Sequence, residues 1–232
     1  MPIRLLTEVK ASGLIAVDKP PGLLVIPGRD ESAGPALRQL LEAQLARPLW
    51  VVHRIDRDTS GVVIFALDAE SHRDASMAFE HDQVRKEYLA LVHGNVPTPL
   101  DIDVPLTPAR KNRMRPVFPG EEGKAAKTRV SLLKAFEHMS WVRAEPETGR
   151  QHQIRVHLKS AGHPLVFDHQ YGNKVTASDF TRVPGDSSVV LARTPLHAAR
   201  VSIASLGFEA TAPLPGDLLQ CLQFLGYSHP TI

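Results

Sequence analysis

The sequence of 232 residues predicts a globular α+β protein, in which short β-strands are interspersed with a few helices. Apolar residues make up 43% of the chain and charged residues 22%, proportions that are ordinary for a packed domain. Short β-rich runs alternate with amphipathic runs, and neither an internal repeat nor a low-complexity linker interrupts them. A chain of this length can bury a substantial core, so we expect one continuous domain.

The first half of the chain predicts three strands and two helices. GLIAVDKPPGLLVI predicts a strand that Pro20, Pro21 and Gly22 end. PALRQLLEAQLAR predicts a packing helix, because proline suits a first helical turn and its leucines recur at helical spacing. GVVIFALD and KEYLALVHG predict strands, and AESHRDASMAFEHD predicts the helix between them.

The second half begins with a stretch of weak periodicity. Residues 95–127 are rich in proline and basic groups and predict a long loop or insertion, which in a compact domain is usually functional. KTRVSLLKAFE and SWVRAEPE predict a further strand pair. The C-terminal portion predicts a hairpin and then a helix that begins near Pro215.

Residues 149 to about 160 predict a helix. Thr148, followed three residues later by Gln151, fits the capping-box pattern, while Gly162 and Pro164 supply the stop. On this helix Ile154, Leu158 and Ala161 make the apolar stripe. Arg155 lies beside the stripe, and a guanidinium at the edge of a packed face can reach a buried carboxylate. Asp56 is the expected partner, since a paired arginine keeps an aspartate ionised in a dry site.

The stretch HRIDRDTSGVVIFALD, residues 53–68, crowds charges against a run that should be buried. His53, Arg54, Asp56, Arg57 and Asp58 lie within six positions. Burying a charge is costly unless it is paired, so the cluster needs an explanation. It is either a polar turn between two strands or an active-site loop that a rigid sheet holds.

The formal net charge of +2 is too small to indicate a polyanionic partner, but its distribution is uneven. The basic segment, residues 108–129, contains seven cationic side chains and only two acidic ones, Glu121 and Glu122. These cations are Arg110, Lys111, Arg113, Arg115, Lys124, Lys127 and Arg129. The segment is either a nucleic-acid contact or a solvated face.

Cysteine and hydropathy patterns exclude several classes of protein. The single cysteine, Cys221, rules out an intramolecular disulfide and a thiolate zinc site. No stretch approaches the roughly 20 apolar residues of a membrane span, so we expect a soluble, cytoplasmic protein without an obligate protein partner. His152 and His157 are five apart, which does not suit two metal ligands on one helix face, and we expect neither metal nor cofactor.

Five blocks together resemble one family. VDKPPGLLV, HRIDRDTSG, KEYLALVHG, GRQHQIRVHL and GHPLVFDHQYG stand in the order and at the separations of the RluA-type pseudouridine synthases, over about residues 13–217. The resemblance implies a mixed, mainly antiparallel bent sheet in two halves, flanked by helices and loops. It also implies isomerisation of uridine to pseudouridine in structured ribosomal or transfer RNA, without cofactor or metal.

The resemblance also implies roles for particular residues. Asp56 becomes the catalytic aspartate, with Tyr88 and Arg155 as further catalytic residues and Arg54 as a substrate contact. We also expect Arg57, in the same loop, to contact the substrate. We add four substrate contacts from the basic segment, which the resemblance covers least: Arg110, Lys111, Arg113 and Arg115. The target base is stacked in folded RNA, so it must be flipped into a pocket, where Tyr88 can stack on it.

The family pattern is not matched everywhere. Phe167 stands where similar proteins usually carry glycine, and His169 and Gln170 replace commoner neighbours. Residues 1–12 are expected to be an N-terminal extension, too short for an RNA-binding S4 domain, and residues 13–232 the catalytic domain.

Two other functions stay open. A carboxylate hydrolase can use Asp56 with Asp58 or Glu87 as an acid and base pair, although the two tryptophans are few for sugar binding. An RNA-binding protein or chaperone without catalysis would use the basic segment equally well. The intact Asp56, Tyr88 and Arg155 favour the isomerase.

Overall fold

The structure is a computed structural model that describes residues 2–9, 12–28, 34–107, 113–172, 191–228 and 230. The chain divides into two compact units, and each is described by itself. The first unit consists of Met1–Lys86 and Ala198–Pro213, and the second of Glu87–His197 and Leu214–Ile232. Each unit is therefore built from two separate stretches of sequence.

Ten strands and four helices are formed by the described residues. The strands are β1 (Arg4–Val9), β2 (Leu14–Lys19), β3 (Trp50–Val51), β4 (Ser60–Ala66), β5 (Arg85–His93), β6 (Leu100–Asp103), β7 (Lys127–Ala135), β8 (Met139–Pro146), β9 (Leu196–Ile203) and β10 (Phe208–Thr211). The helices are α1 (Leu37–Leu45), α2 (Ala69–Glu80), α3 (Gln153–Ser160) and α4 (Gly216–Phe224). The predicted α+β class with a mainly antiparallel sheet is confirmed.

The first unit buries both faces of its central strands. Its strand order is β1-β2-β4-β9, with β3 pairing β4 and β10 pairing β9. Val62 and Ile64 of β4 pack against α2, while Val63 and Phe65 pack on the opposite face against α1. A strand covered on both sides needs apolar residues at every position, which explains the unbroken run GVVIFA.

Gly61, the glycine of the TSG sequence, permits close strand packing at the start of β4. Its φ is +107°, and a Cβ at this position would lie 2.2 Å from the carbonyl oxygen of Ala198 in β9. Any larger residue would force β9 away from β4 and would be strained in this backbone conformation. The glycine thus fixes where the charged loop before β4 joins the sheet.

The second unit is an antiparallel sheet with α3 on one face. Its strand order is β5-β8-β7-β6. Ile154 and Leu158 of α3 pack on Ala90, Val92 and Val142 of the sheet, which confirms the predicted apolar stripe. A smaller cluster joins the basic segment to the same helix, and its members are Leu106, Met114, Ala126, Val156 and Tyr171.

Two predictions about this unit are wrong. The helix predicted to begin at residue 149 begins at Gln153, because the Thr148 hydroxyl donates to the side-chain oxygen of buried Gln153 (2.7 Å) instead of capping the helix. The residue before the helix is His152, in a left-handed conformation with φ of 53°. The stretch predicted as a loop, residues 95–127, contains strand β6 among its described residues, and this strand was too short to be recognised from alternating apolar residues.

The other elements that the sequence predicts lie where expected, with ends shifted by one to three residues. Strand β1 was not among them: it lies in the expected N-terminal extension and pairs with β2. In the part of the chain that the structure describes, the longest helix is α2 with 12 residues, and no helix is both long and apolar enough to cross a membrane.

Candidate active site

A buried lysine ties the charged loop of the first unit to the turn after β2. Lys19 has no exposed surface, and its Nζ donates to the carbonyl oxygens of Pro20 (2.9 Å), Leu23 (2.8 Å) and Arg57 (2.8 Å). Hydrogen bonds from a charged donor are stronger than neutral ones. The lysine therefore fixes the DKPPG turn and the HRIDRD loop against each other.

Backbone hydrogen bonds further define the loop around Asp56. The Gly22 amide donates to the Arg57 carbonyl oxygen (2.9 Å), and the Arg57 Nε donates back to the Gly22 carbonyl oxygen (2.9 Å). The amide of Thr59, which is buried, donates to the carbonyl oxygen of Asp56 (3.2 Å). Arg57, predicted to contact substrate, thus also has a structural role. The Asp56 side chain is partly buried in a loop whose backbone is fixed on both sides.

His53 anchors the start of the same loop in the sheet. Its Nε2 accepts a hydrogen bond from the Ile64 amide (3.0 Å), and its ring stacks on Phe79 at 4.6 Å between centroids. Burial lowers the pKa of His53 to about 3, with the charge of Lys86 as the smaller cause. The ring is therefore neutral at physiological pH, with its proton on Nδ1.

Arg54 projects from the loop into solvent. Its side chain is exposed and makes no hydrogen bond or ion pair with the described residues. It borders an open cavity of about 440 Å³ that Arg38, Trp50 and His72 also line. A guanidinium in this position is available for an external anion or for stacking.

Arg155, the predicted catalytic arginine of the second unit, forms an ion pair with Asp168, for which the sequence predicted no role. Arg155 donates from Nε to Asp168 Oδ2 (2.7 Å) and from Nη2 to Oδ1 (2.9 Å), and the Asp168 side chain is fully buried. Oδ1 also accepts from the amides of Gln170 and Tyr171, both at 3.0 Å. Burial by itself raises the pKa of Asp168, but the hydrogen bonds and charge of Arg155 and the two amides outweigh it and hold the pKa below its usual value.

Tyr171 connects this arginine to the basic segment. The Arg155 guanidinium lies 4.9 Å from the centre of the Tyr171 ring. The Tyr171 hydroxyl accepts from the Met114 amide (2.9 Å) and is within hydrogen-bond distance of His152 Nδ1 (2.8 Å). One tyrosine therefore contacts α3, the loop after it and the basic segment.

Tyr88 lies in β5, opposite Ala144 of β8. It is partly buried and packs against the core cluster that contains Ala90, Ile154 and Leu158. The aromatic ring thus has one side in the core of the second unit, and its interpretation as a stacking residue for the target base stays a prediction.

The four predicted contacts of the basic segment differ in what the structure shows. Arg110 and Lys111 lie outside the described residues. Arg113 is exposed and makes no hydrogen bond or ion pair with the described part of the chain. Arg115 is engaged with Glu121 through both terminal nitrogens, at 2.6 and 2.7 Å. Arg115 must give up this partner before it can bind a phosphate with the same nitrogens.

The predicted catalytic residues belong to different units. Asp56 lies in the first unit, and Tyr88 and Arg155 lie in the second, so the pairing of Arg155 with Asp56 stays a prediction. The roles of Lys19, Asp168 and Tyr171 were not predicted from the sequence. The signal for Lys19 was a lysine that directly follows an apolar strand and precedes two prolines.

His152 and His157, the two histidines of the α3 region, both make hydrogen bonds. His157 is fully buried, and its Nε2 donates to the Val104 carbonyl oxygen (2.9 Å) while Nδ1 accepts from the Thr128 hydroxyl (2.9 Å). Among the residues described, no group of three or more histidine, cysteine, aspartate or glutamate side chains is arranged to hold a metal.

Phe167, which stands at a usual glycine position, adopts the backbone conformation that glycine favours. Its φ is +59°, a left-handed value that is uncommon for a bulky residue. The turn after it is tightly held, since the Gly172 amide donates to the Asp168 carbonyl oxygen at 2.7 Å. The loop therefore keeps a glycine-like path although the glycine is absent.

Comparisons with known proteins agree with these features. The sequence model of the family described as RNA pseudouridylate synthase matches residues 13–160. Ribosomal large subunit pseudouridine synthase D of Nitrosomonas europaea is 36% identical over 96% of this chain and 65% of its own length. Ribosomal large subunit pseudouridine synthase C of Salmonella typhimurium is 35% identical over 91% of this chain and 67% of its own length. The chain thus spans about two thirds of the length of these relatives.

A solved structure gives the same result for the fold. The protein described as human RNA pseudouridylate synthase domain containing 4 is 25% identical, with a TM-score of 0.76. The match covers 96% of this chain and 93% of the human one.

Proposed function

Because this chain belongs to the RNA pseudouridylate synthase family, we propose that it isomerises uridine to pseudouridine in structured RNA. In this reaction the bond from the ribose C1′ to uracil N1 breaks and a bond from C1′ to C5 forms. The C5 proton leaves and N1 gains one, so no oxidant, reductant or cofactor is consumed. The names of its bacterial relatives favour large-subunit ribosomal RNA as the substrate, with transfer RNA as the alternative.

The observation that carries the proposal is the position of Asp56 in the rigid HRIDRD loop. Lys19, Gly22 and Thr59 hold the loop backbone on either side of this aspartate. A fixed carboxylate can attack the ribose C1′ or remove a ribose proton, and the residues are compatible with both routes. Preorganisation of this kind lowers the cost of reaching the reactive geometry.

The other residues have supporting roles in the proposal. Arg54, exposed and unpaired among the described residues, fills the space that the flipped base leaves or binds a phosphate. Tyr88 stacks on the target uracil, and its hydroxyl can transfer the C5 proton. Arg155 stays the predicted partner of Asp56, and within the second unit it pairs with Asp168.

Replacement of Asp56 by asparagine tests the proposal. Wild type and Asp56→Asn are incubated with unmodified large-subunit ribosomal RNA and unmodified transfer RNA, and pseudouridine is mapped chemically. We expect wild type to modify particular uridines and Asp56→Asn to lose at least ~10²-fold in rate, because an amide is neither nucleophile nor base. Asp58→Asn, in the same loop, serves as the control and keeps its activity.

The same experiment separates an isomerase from an RNA chaperone. A chaperone that uses the basic segment binds RNA equally well in wild type and in both variants, and wild type forms no pseudouridine. Wild-type rates in Asp56→Asn would instead show that the catalytic carboxylate has been assigned to the wrong residue.

A further inference from the structure

An aromatic ring stands on the surface of the basic segment. Phe118 is 63% exposed, more than Leu5, Met77 or Phe224, the other large apolar side chains that are exposed in the described chain. A single exposed apolar residue is common and by itself indicates nothing. Phe118 differs because several polar contacts hold its backbone and ring in place.

Hydrogen bonds to Glu121 act as a clamp that fixes the turn containing Phe118. The Phe118 amide donates to Glu121 Oε2 (2.8 Å), and the Glu121 amide donates back to the Phe118 carbonyl oxygen (3.0 Å). Arg115 donates to both oxygens of the same carboxylate and also to the Pro116 carbonyl oxygen (3.0 Å). The hydrogen bonds from Arg115 and then from the Phe118 amide lower the pKa of Glu121 to about 2, so the clamp is ionised at all physiological pH values.

Arg115 also supports the ring itself. Its guanidinium carbon lies 4.6 Å from the centre of the Phe118 ring, within the range of a cation–π contact. The guanidinium occupies one face of the ring, which leaves the other for an external group. This arrangement is a flat aromatic surface with the guanidinium of the Arg115–Glu121 ion pair behind it.

The turn is anchored to the body of the second unit. The Thr107 amide donates to the Arg115 carbonyl oxygen (3.0 Å), and the Val117 amide donates to the Pro105 carbonyl oxygen (3.1 Å). Met114, next to Arg115, is buried and donates its amide proton to the Tyr171 hydroxyl. A ligand that binds the ring therefore does not have to order the turn.

We propose that Phe118 is a stacking platform for an unpaired nucleobase of the RNA substrate, with Arg115 behind the ring. This inference rests on the proposed function for the presence of RNA. The excess of cations in residues 108–129 favours a polyanion over a protein partner. Every nucleobase has a π-face that stacks on an aromatic ring, so this contact adds affinity for unpaired RNA without reading a particular base.

Four single variants test the platform. Phe118→Ala removes the ring, Phe118→Leu keeps apolar bulk without a π-face, and Phe118→Tyr keeps the π-face. Phe224→Ala removes an exposed phenylalanine at the end of α4 and is the matched control. The probe is unmodified large-subunit ribosomal RNA transcribed in vitro, and its dissociation constant is measured at several salt concentrations. Thermal unfolding of each variant shows that the fold is retained.

We expect Phe118→Ala to weaken RNA affinity by about 5- to 150-fold, the range measured for loss of one stacked base. Phe118→Leu weakens it similarly, while Phe118→Tyr and Phe224→Ala bind as wild type does. Because stacking releases no counterions, the slope of log affinity against log salt stays unchanged in Phe118→Ala. The single-turnover rate at saturating enzyme also persists, since the platform holds RNA and does not react.

Wild-type affinity in Phe118→Ala, or full affinity in Phe118→Leu, would overturn the stacking role. Weaker binding by Phe224→Ala to the same extent would also overturn it. These outcomes differ from failure of the proposed function, in which wild type binds RNA but converts no uridine. In that case, loss of affinity in Phe118→Ala and Phe118→Leu alone would still support the platform.

Discussion

Asp168 holds the Arg155 guanidinium through both carboxylate oxygens from a position without solvent exposure. A buried ion pair of this kind is expensive to break, because the remaining partner is left as an unpaired charge in a dry environment. The pair also gives Arg155 a fixed direction. A residue that looks peripheral in the sequence thus determines how a predicted catalytic residue is presented.

We expect Asp168→Asn to lower the free energy of unfolding by about 3 kcal/mol at pH 7. The pKa of Asp168 is lower in the folded protein than its ordinary value of 3.8. Its stabilising contribution is therefore fully present above pH ~4 and is lost as the pH falls through the folded pKa. Urea unfolding at pH 7 and at pH 3 measures both effects, and the acid-dependent loss should be smaller in the variant.

Asp101→Asn is the matched control for this measurement. Asp101 also pairs with an arginine, Arg129, at 3.0 Å, but both side chains are about half exposed. Exposed pairs contribute at most about 1 kcal/mol. An equal loss of stability in the two variants would contradict the importance we give to burial at Asp168.

The prediction that Arg155 pairs with a carboxylate is confirmed for Asp168, a partner that was not predicted, whereas its pairing with Asp56 stays a prediction. The position of Arg155 beside an apolar stripe indicated that it needs a carboxylate, and the structure supplies Asp168. The pair depends on a turn after α3 that brings Asp168 back to the helix, and no short-range pattern encodes this contact. The capping-box prediction was wrong for a similar reason, because Gln153 binds Thr148 across the start of the helix.

Short segments with dense polar contacts shape both candidate sites. The loop between β3 and β4 is held by Lys19 and His53, and the basic segment is held by Glu121 and Tyr171. The apolar run GVVIFALD predicted β4, the strand after the loop, because a strand that is buried on both faces is apolar at every position. The polar contacts of the loop connect residues that are distant in sequence, so they required the structure.

We expect His53→Gln to reduce the loss of stability between pH 6.5 and pH 4. The pKa of His53 is about 3 in the folded protein and 6.5 ordinarily, so the unfolded chain binds more protons in this range. The contribution of the neutral histidine is fully present above pH 6.5 and declines as the pH falls. Glutamine has no titration there, and its side-chain oxygen can accept the Ile64 amide proton.

Urea unfolding of wild type and His53→Gln at half-unit pH steps measures this dependence. The acidic window of Asp168 lies below pH 4, so the two contributions are separated on the pH axis. Identical pH profiles for wild type and His53→Gln would mean that the ring is protonated as readily in the folded protein as in the unfolded chain.

Four cations of the basic segment should determine much of the salt dependence of RNA binding. If Arg110, Lys111, Arg113 and Arg115 each contact a phosphate, replacing all four by alanine flattens the slope of log affinity against log salt by roughly 3. Arg115 is paired with Glu121, so Arg115→Ala alone should change the slope less than Arg113→Ala. Filter binding at several salt concentrations measures both. An unchanged slope in the fourfold variant would make the segment a solvated face.

The two units differ in how they use their helices. The first unit covers β2 and β4 with α1 on one face and α2 on the other, whereas the second unit packs α3 on one face of its sheet. The α+β class was predictable because apolar residues recur at different spacings in the strand segments and in the helix segments of the sequence. The family resemblance implied a sheet in two halves, but the sequence did not show where the units meet, since no linker or change of composition marks any of the three boundaries.

We expect isomerisation to be insensitive to metal removal. The reaction needs a carboxylate, an aromatic ring and a positive charge, and the proposed residues supply all three without a metal-bound group. Pseudouridine formation in wild type is measured with and without EDTA, on RNA whose folding is checked separately. Loss of activity that one divalent ion restores, while the RNA stays folded, would contradict this expectation.

Each unit is assembled from two separate stretches of chain, and this determines how fragments of the protein must be designed for expression. The first unit needs Ala198–Pro213 in addition to everything up to Lys86, and the second unit needs Leu214–Ile232 as well as Glu87–His197. An open reading frame that stops before codon 198 therefore encodes neither unit in full. Fragments for separate expression should instead be made by joining the two stretches of one unit with a designed linker.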